Sequence, residues 1–144
     1  MAIVRKGSAT WSGGIKDGKG TISTESGALS SYPYGFASRF EGQKGSNPEE
    51  LIGAAHASCF TMALSLILGE VSFKAESLET SAKVSLEQVS NGYSITASHL
   101  TVKARVPNID KATFEKLVGE AKAGCPVSKL LNTTITLDAE LLPS

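Results

Sequence analysis

Cys59 and Cys125 are the only two thiols in the chain, and a pair of that kind is idle, redox-active or metal-binding. A cysteine buried on a helix ordinarily behaves as a small hydrophobe, which is the default for Cys59. Cys125 differs. It precedes Pro126, which suits a first helical position, so Cys125 takes the N-cap. Unpaired backbone N–H groups and the positive helix end both favour a thiolate there. Local reasoning therefore ranks Cys125 as the reactive sulfur. The alternative is that Cys59 is activated by a charge from elsewhere in the fold. Arg39 could do this, because a cation within hydrogen-bonding distance favours the charged form of a thiol.

Glu49 lies ten residues before Cys59, about 15 Å along a helix axis, and cannot touch that sulfur within one helix. Two copies of the helix packed antiparallel would bring Glu49 of one toward Cys59 of the other. Its simpler role, shared with Glu50, is to complement the helix dipole. Arg39, taken alone, reads as a solvated strand residue. His56 is one helical turn from Cys59, but a Cys–His pair needs a third orienting group and none stands at suitable spacing. His56 therefore reads as a hydrogen-bonded core histidine, and His99 as a bulge or surface histidine. A zinc site would consume every Cys and His in the chain at spacings that match no short-range zinc pattern, so no metal is expected. Residues 13–20, GGIKDGKG, nearly spell a phosphate-binding loop. The match fails at Gly20, where Ser or Thr should supply the magnesium ligand, and strand-forming residues follow instead of a helix. A hairpin turn is the expectation.

The element that must position these groups is one long helix. Asn47 is a good N-cap, Pro48 suits N1, and Glu50 at N3 can complete a capping box. Residues 51–68, LIGAAHASCFTMALSLIL, carry no charge, and an uncharged circumference implies burial on nearly every side. The length approaches that of a membrane span, but His56, Ser58, Thr61 and Ser65 interrupt it and the flanks are acidic. A buried helix of a globular domain is the reading. One sheet covers about half of such a helix, and an identical subunit is the simplest source of the rest.

Around it, residues 3–11 read as a strand, and Tyr34, Phe36, Ser38 and Phe40 alternate with Arg39 and Glu41 as another. Ala82, Val84 and Leu86 mark a half-buried strand, with Asn91-Gly92 as a type I′ hairpin signal. The apolar phase then changes near Ser98-His99, which suggests a bulge. Asp110 caps a helix bearing Phe114, Leu117, Val118 and Ala121, Gly124 ends it, and a short helix leads to a closing strand of Ile135, Leu137, Ala139 and Leu141. The order is βββ-α-ββ-α-α-β, an α+β pattern with antiparallel hairpins and no βαβ rhythm. At 144 residues this is expected to be a single domain, 1–144. Fourteen basic and fourteen acidic residues, unclustered, give no case for nucleic acid or an anionic membrane as partner. With no basic-then-apolar leader, a cytoplasmic location is expected.

Residues 47–60, NPEELIGAAHASCF, strongly resemble the signature helix of the osmotically inducible protein C (OsmC) family, which is related to the organic hydroperoxide resistance (Ohr) proteins. Residues 34–42, YGFASRFEG, and 121–128, AKAGCPVS, are similar to two further stretches of that family. The resemblance covers essentially the whole chain and is nearer to OsmC than to Ohr, because Arg39 sits just before the helix and His56 stands three before the cysteine. It implies an OsmC-like fold: antiparallel sheets packed around a long central helix in an intertwined homodimer. It implies a thiol-dependent peroxidase acting on organic hydroperoxides, and more weakly on hydrogen peroxide, with no cofactor. On this resemblance Cys59 is the peroxidatic cysteine and Cys125 the resolving one, joined in a disulfide that an external dithiol reduces. Arg39 and Glu49 form the charged pair beside the reactive sulfur, which reverses the local ranking of the thiols. The rival from another class is a non-enzymatic redox sensor or binding module that uses the same disulfide.

Overall fold

The computed structural model describes all 144 residues as two compact units, Met1–Leu51 and Ile52–Ser144. In the first, β1 (Gly7–Ser12), β2 (Lys19–Thr24) and β3 (Tyr32–Tyr34) pair antiparallel in the order β1-β2-β3. The glycine-rich segment is the turn between β1 and β2, as expected. Its Gly18 N–H donates to the Gly14 carbonyl at 2.8 Å, and a Cβ on Gly18 would meet that oxygen at 2.3 Å. Only glycine fits so tight a turn.

The expected strand over residues 34–41 is not formed. β3 stops at Tyr34, and α1 (Phe36–Phe40) follows. Phe36 and Phe40 pack on one helical face with their rings tilted by 45° and 5.0 Å between centroids, and the Ser38 hydroxyl at N3 accepts from the Gly35 N–H at 3.0 Å. Over so few residues apolar positions at i and i+4 satisfy both periods, so the alternation did not discriminate helix from strand.

The long helix, α2 (Pro48–Glu70), begins where its cap residues place it. Asn47 Oδ1 accepts from the Glu50 N–H at 2.8 Å. The capping box is only half made, because the Glu50 carboxylate lies 3.5 Å from the Asn47 side-chain amide rather than on its backbone N–H. Burial is also less complete than the uncharged sequence implied. Gly53, His56, Phe60, Leu64 and Leu68 form one buried stripe, while Ala54, Ala55, Ser58, Met62, Ser65 and Leu66 stay exposed. By length and composition α2 is also the one helix capable of crossing a membrane.

In the second unit, β4 (Ser77–Val89), β5 (Gly92–Arg105) and β6 (Thr134–Leu141) form a sheet in the order β4-β5-β6. The β4–β5 hairpin forms, but its loop is Ser90-Asn91, since Val89 pairs with Gly92. Gly92 alone adopts a positive φ there, 128°, so the turn is not type I′. The bulge sits at Thr96, between the pairs Ser85–Ala97 and Leu86–Ile95, slightly before the expected Ser98-His99. β6 lies parallel to β5, so the expectation of purely antiparallel pairing holds for two of the three strands. A connection carrying α3 (Lys111–Gly124) and α4 (Pro126–Leu130) is long enough to return the chain in the same direction. Asp110 caps α3 through the Thr113 N–H at 2.9 Å, and Phe114, Leu117, Val118 and Ala121 face inward as expected. With Phe60, Leu64, Leu68, Leu100, Val102 and Cys125 they make the core of this unit. The architecture is α+β, as expected.

Candidate active site

Arg39 reaches its partner because α1 is a helix. Its guanidinium lies 5.3 Å from the Phe40 ring centroid and forks onto Glu49, Nε donating to Oε1 at 3.2 Å and Nη2 to Oε2 at 3.0 Å. Glu49 is 8% exposed and the Arg39 side chain 36%, so the carboxylate anchors a cation whose outer face is open. The same guanidinium lines a cavity of about 270 Å³ walled by Trp11, Ile15, Tyr34, Phe36 and Phe40. An apolar pocket with one polar head group at its wall suits a small molecule with a greasy body and a polar end.

In the second unit α2 supplies Cys59 and the start of α4 supplies Cys125. Both are free thiols, Cys59 half-buried and Cys125 fully buried, and they share a side-chain hydrogen bond. Burial is the largest influence on each sulfur and opposes ionisation. On Cys59 the hydrogen bond with Cys125 adds to burial, the Val127 N–H opposes them weakly, and the pKa rises. On Cys125 burial is outweighed by the Cys59 hydrogen bond, the Ser128 N–H and hydroxyl and the Val127 N–H, and the pKa falls. Cys125 makes no side-chain hydrogen bond that closes the α4 cap, but those N–H groups lie near enough to favour its charged form. The N–H groups of Val127 and Ser128 at the start of α4 thus act on the Cys125 sulfur in the direction that favours its charged form.

His56 is the core histidine expected. It is fully buried, with Nδ1 2.7 Å from Ser98 Oγ and Nε2 2.8 Å from Ser128 Oγ, and burial lowers its pKa. Sequence reasoning missed both serines; Ser128, three residues after Cys125, was the one carrying a signal. His99 is a partly exposed strand residue, its ring nitrogens engaged by Thr136 and, at 3.0 Å, by Asp138. No three His, Cys, Asp or Glu side chains are grouped to hold a metal ion. Within this unit Phe60 faces the core and Met62 is exposed.

Residues 41–140 match the profile of the family described as OsmC-like protein. The chain is 58% identical over 141 residues to the peroxiredoxin OsmC of Escherichia coli (strain K12), covering 98% of this chain and 99% of that one. The chain belongs to the OsmC family. The organic hydroperoxide resistance protein OhrB of Bacillus subtilis (strain 168) is 32% identical over 103 residues, 70% of this chain and 73% of that protein. A crystal structure of Bacillus subtilis OhrB superimposes with a TM-score of 0.67 at 27% identity, covering 95% of this chain and 98% of that one. The family membership and the near full-length identity to a peroxiredoxin make the chain a cysteine-based peroxidase.

Proposed function

We propose that the chain reduces organic hydroperoxides to alcohols, with Cys59 as the attacking sulfur, Cys125 as the resolving sulfur and an external dithiol as reductant. The observation that carries this reading is the unequal exposure of two adjacent free thiols. A substrate arriving from outside can meet half-buried Cys59, whereas buried Cys125 can react only with its neighbour. The Cys59 thiolate attacks the O–O bond, leaving an alkoxide that takes a proton to become the alcohol and a sulfenic acid on Cys59. Cys125 displaces the sulfenic hydroxyl as water and closes the disulfide. Thiolate exchange with the dithiol reopens it.

This chemistry requires a lower Cys59 pKa than its own unit supplies, since burial and Cys125 both raise it. We assign that task to the Arg39–Glu49 pair, whose two-point fork holds a guanidinium able to stabilise both the thiolate and the departing alkoxide. The aromatic cavity around Arg39 supports an alkyl or aryl hydroperoxide rather than hydrogen peroxide. The 144 residues act as one functional domain, and two copies form a homodimer. An α2 face of Ala54, Ala55, Ser58, Met62 and Leu66 lies uncovered in a single copy, and every residue of β1 is exposed.

Treating reduced protein with one equivalent of cumene hydroperoxide and mapping its disulfides by mass spectrometry tests the reading. A Cys59–Cys125 bridge and sustained peroxide consumption with a dithiol are expected. Two unmodified thiols would reject the reading, and a single stoichiometric oxidation without turnover would identify a redox sensor instead.

A further inference from the structure

We infer that Ser128 and His56 form a proton relay serving Cys125 in the step that closes the disulfide, a step that rests on the roles proposed above for the two thiols. His56 is 0% exposed and both its ring nitrogens are engaged, Nδ1 by Ser98 Oγ at 2.7 Å and Nε2 by Ser128 Oγ at 2.8 Å. Ser128 stands at N3 of α4 and Cys125 at its N-cap, one helical turn apart, and the Ser128 hydroxyl also meets the Cys125 sulfur. Cys125 in turn meets Cys59. An unbroken line of polar groups therefore runs from Ser98 through His56, Ser128 and Cys125 to Cys59, through a core otherwise built of Phe60, Leu64, Leu100 and Val102.

Burying such a line is costly unless every member is satisfied, and each one is. Packing alone does not call for it, because the same α2 stripe is filled by leucine at positions 64 and 68. Chemistry does. Disulfide closure takes a proton from Cys125 as its sulfur attacks, and gives one to the hydroxyl leaving Cys59. Both needs are met at one place. Cys125 passes its S–H proton to the Ser128 oxygen while Ser128 passes its own to His56 Nε2, with Ser98 holding the far ring nitrogen. The Cys125 electron pair forms the S–S bond, the Cys59 S–O bond breaks, and the leaving hydroxide takes the proton of the Ser128 hydroxyl, which His56 Nε2–H then replaces. The products are a disulfide and water, with Ser128 and His56 restored and no outside oxidant or reductant consumed. Burial lowers the His56 pKa, so the ring holds the relayed proton only weakly and gives it back readily. Ser128 touches the reacting sulfur. His56 acts through it and is a positioning residue.

The test separates the two steps of one turnover in full-length protein. After one equivalent of cumene hydroperoxide, sulfenic acid is trapped with dimedone and disulfide is followed by mass spectrometry, in wild type, Ser128→Ala, Ser128→Thr and His56→Gln. Sulfenic acid is expected to form in all four, with far less slowing than disulfide closure shows. Disulfide closure is expected to slow about 100-fold in Ser128→Ala and His56→Gln, with sulfinic acid building up in excess peroxide. Ser128→Thr, which keeps the hydroxyl, is expected to restore most of the rate. Closure at the wild-type rate in Ser128→Ala, equal slowing of both steps, or failure of Ser128→Thr to rescue would overturn the relay. Should His56→Gln fail to fold, the Ser128→Ala and Ser128→Thr pair decides alone. A wild-type protein that never forms the Cys59–Cys125 bridge would overturn the relay and the proposed function together, whereas a normal bridge in Ser128→Ala overturns only the relay.

Discussion

Replacing Arg39 with alanine is the perturbation on which the proposed peroxide chemistry turns. The guanidinium is held by two hydrogen bonds to Glu49, of 3.2 and 3.0 Å, and 36% of its side chain is exposed. A cation beside a thiol lowers its pKa by about one to three units, and screening of a partly exposed one favours the lower part, about one to two. A rise of two units on removing Arg39 cuts the neutral-pH thiolate population about 100-fold, while the more basic sulfur attacks roughly six to ten times faster. The route through the pKa therefore costs roughly tenfold. Losing the donor to the departing alkoxide adds about 10² to 10³, the usual effect of one deleted oxyanion contact. Together Arg39→Ala is expected to slow peroxide attack about 10³- to 10⁴-fold. The assay has two arms. Single-turnover kinetics with cumene hydroperoxide give the rate, and ultraviolet titration of the thiolate in a Cys125→Ser background gives the Cys59 pKa with and without Arg39. Thermal unfolding checks that the fold persists. An Arg39→Ala protein that attacks peroxide at the wild-type rate, with an unmoved Cys59 pKa, would refute the reasoning.

The remaining expectations concern stability and assembly. Phe60 is fully buried beside Cys59, and Phe60→Ala is expected to cost about 3–5 kcal/mol in chemical denaturation. Gly53→Ala is expected to destabilise despite better helix propensity, because the new Cβ would stand 3.0 Å from the Ala82 carbonyl of a paired strand; a raised melting temperature would contradict this. Burial holds the His56 pKa below 6.5, so the unfolded chain takes up that proton more readily than the folded one. This contribution to stability is present above about pH 6.5 and is lost as pH falls through the folded pKa. Melting temperatures across that range should fall less steeply in His56→Gln. Met62→Glu places a charge on the exposed α2 face, where a monomer would tolerate it; if the proposed homodimer uses this face, sedimentation is expected to show a shift to monomer, and an unchanged dimer would place the interface elsewhere.

Local rules served the elements whose signals agree. The α2 start at Asn47-Pro48, the α3 cap at Asp110 with its four inward residues, and the glycine turn before β2 each follow from chemistry within a few residues. They failed where two periods coincide, as at Phe36 and Phe40, and where pairing partners are remote. The bulge at Thr96 and the parallel β6 depend on which strand a segment meets, and alternation within a segment carries no record of that. His56 was legible as a satisfied core histidine, but its partners lie 42 and 72 residues away, beyond any local pattern.

By itself the amino-acid sequence determined which groups are available: two thiols, a guanidinium, an acid at a helix start, and an apolar helix too uncharged to stand alone in water. It also determined that Cys125 would meet the N–H groups of α4, because capping is a matter of neighbouring residues. Only the tertiary structure decided that Cys59 and Cys125 touch, that Arg39 forks onto Glu49, and that His56 joins Ser98 to Ser128. Contacts between residues far apart in the chain are selected by how whole helices and strands pack, and the chain reveals them only when that packing closes.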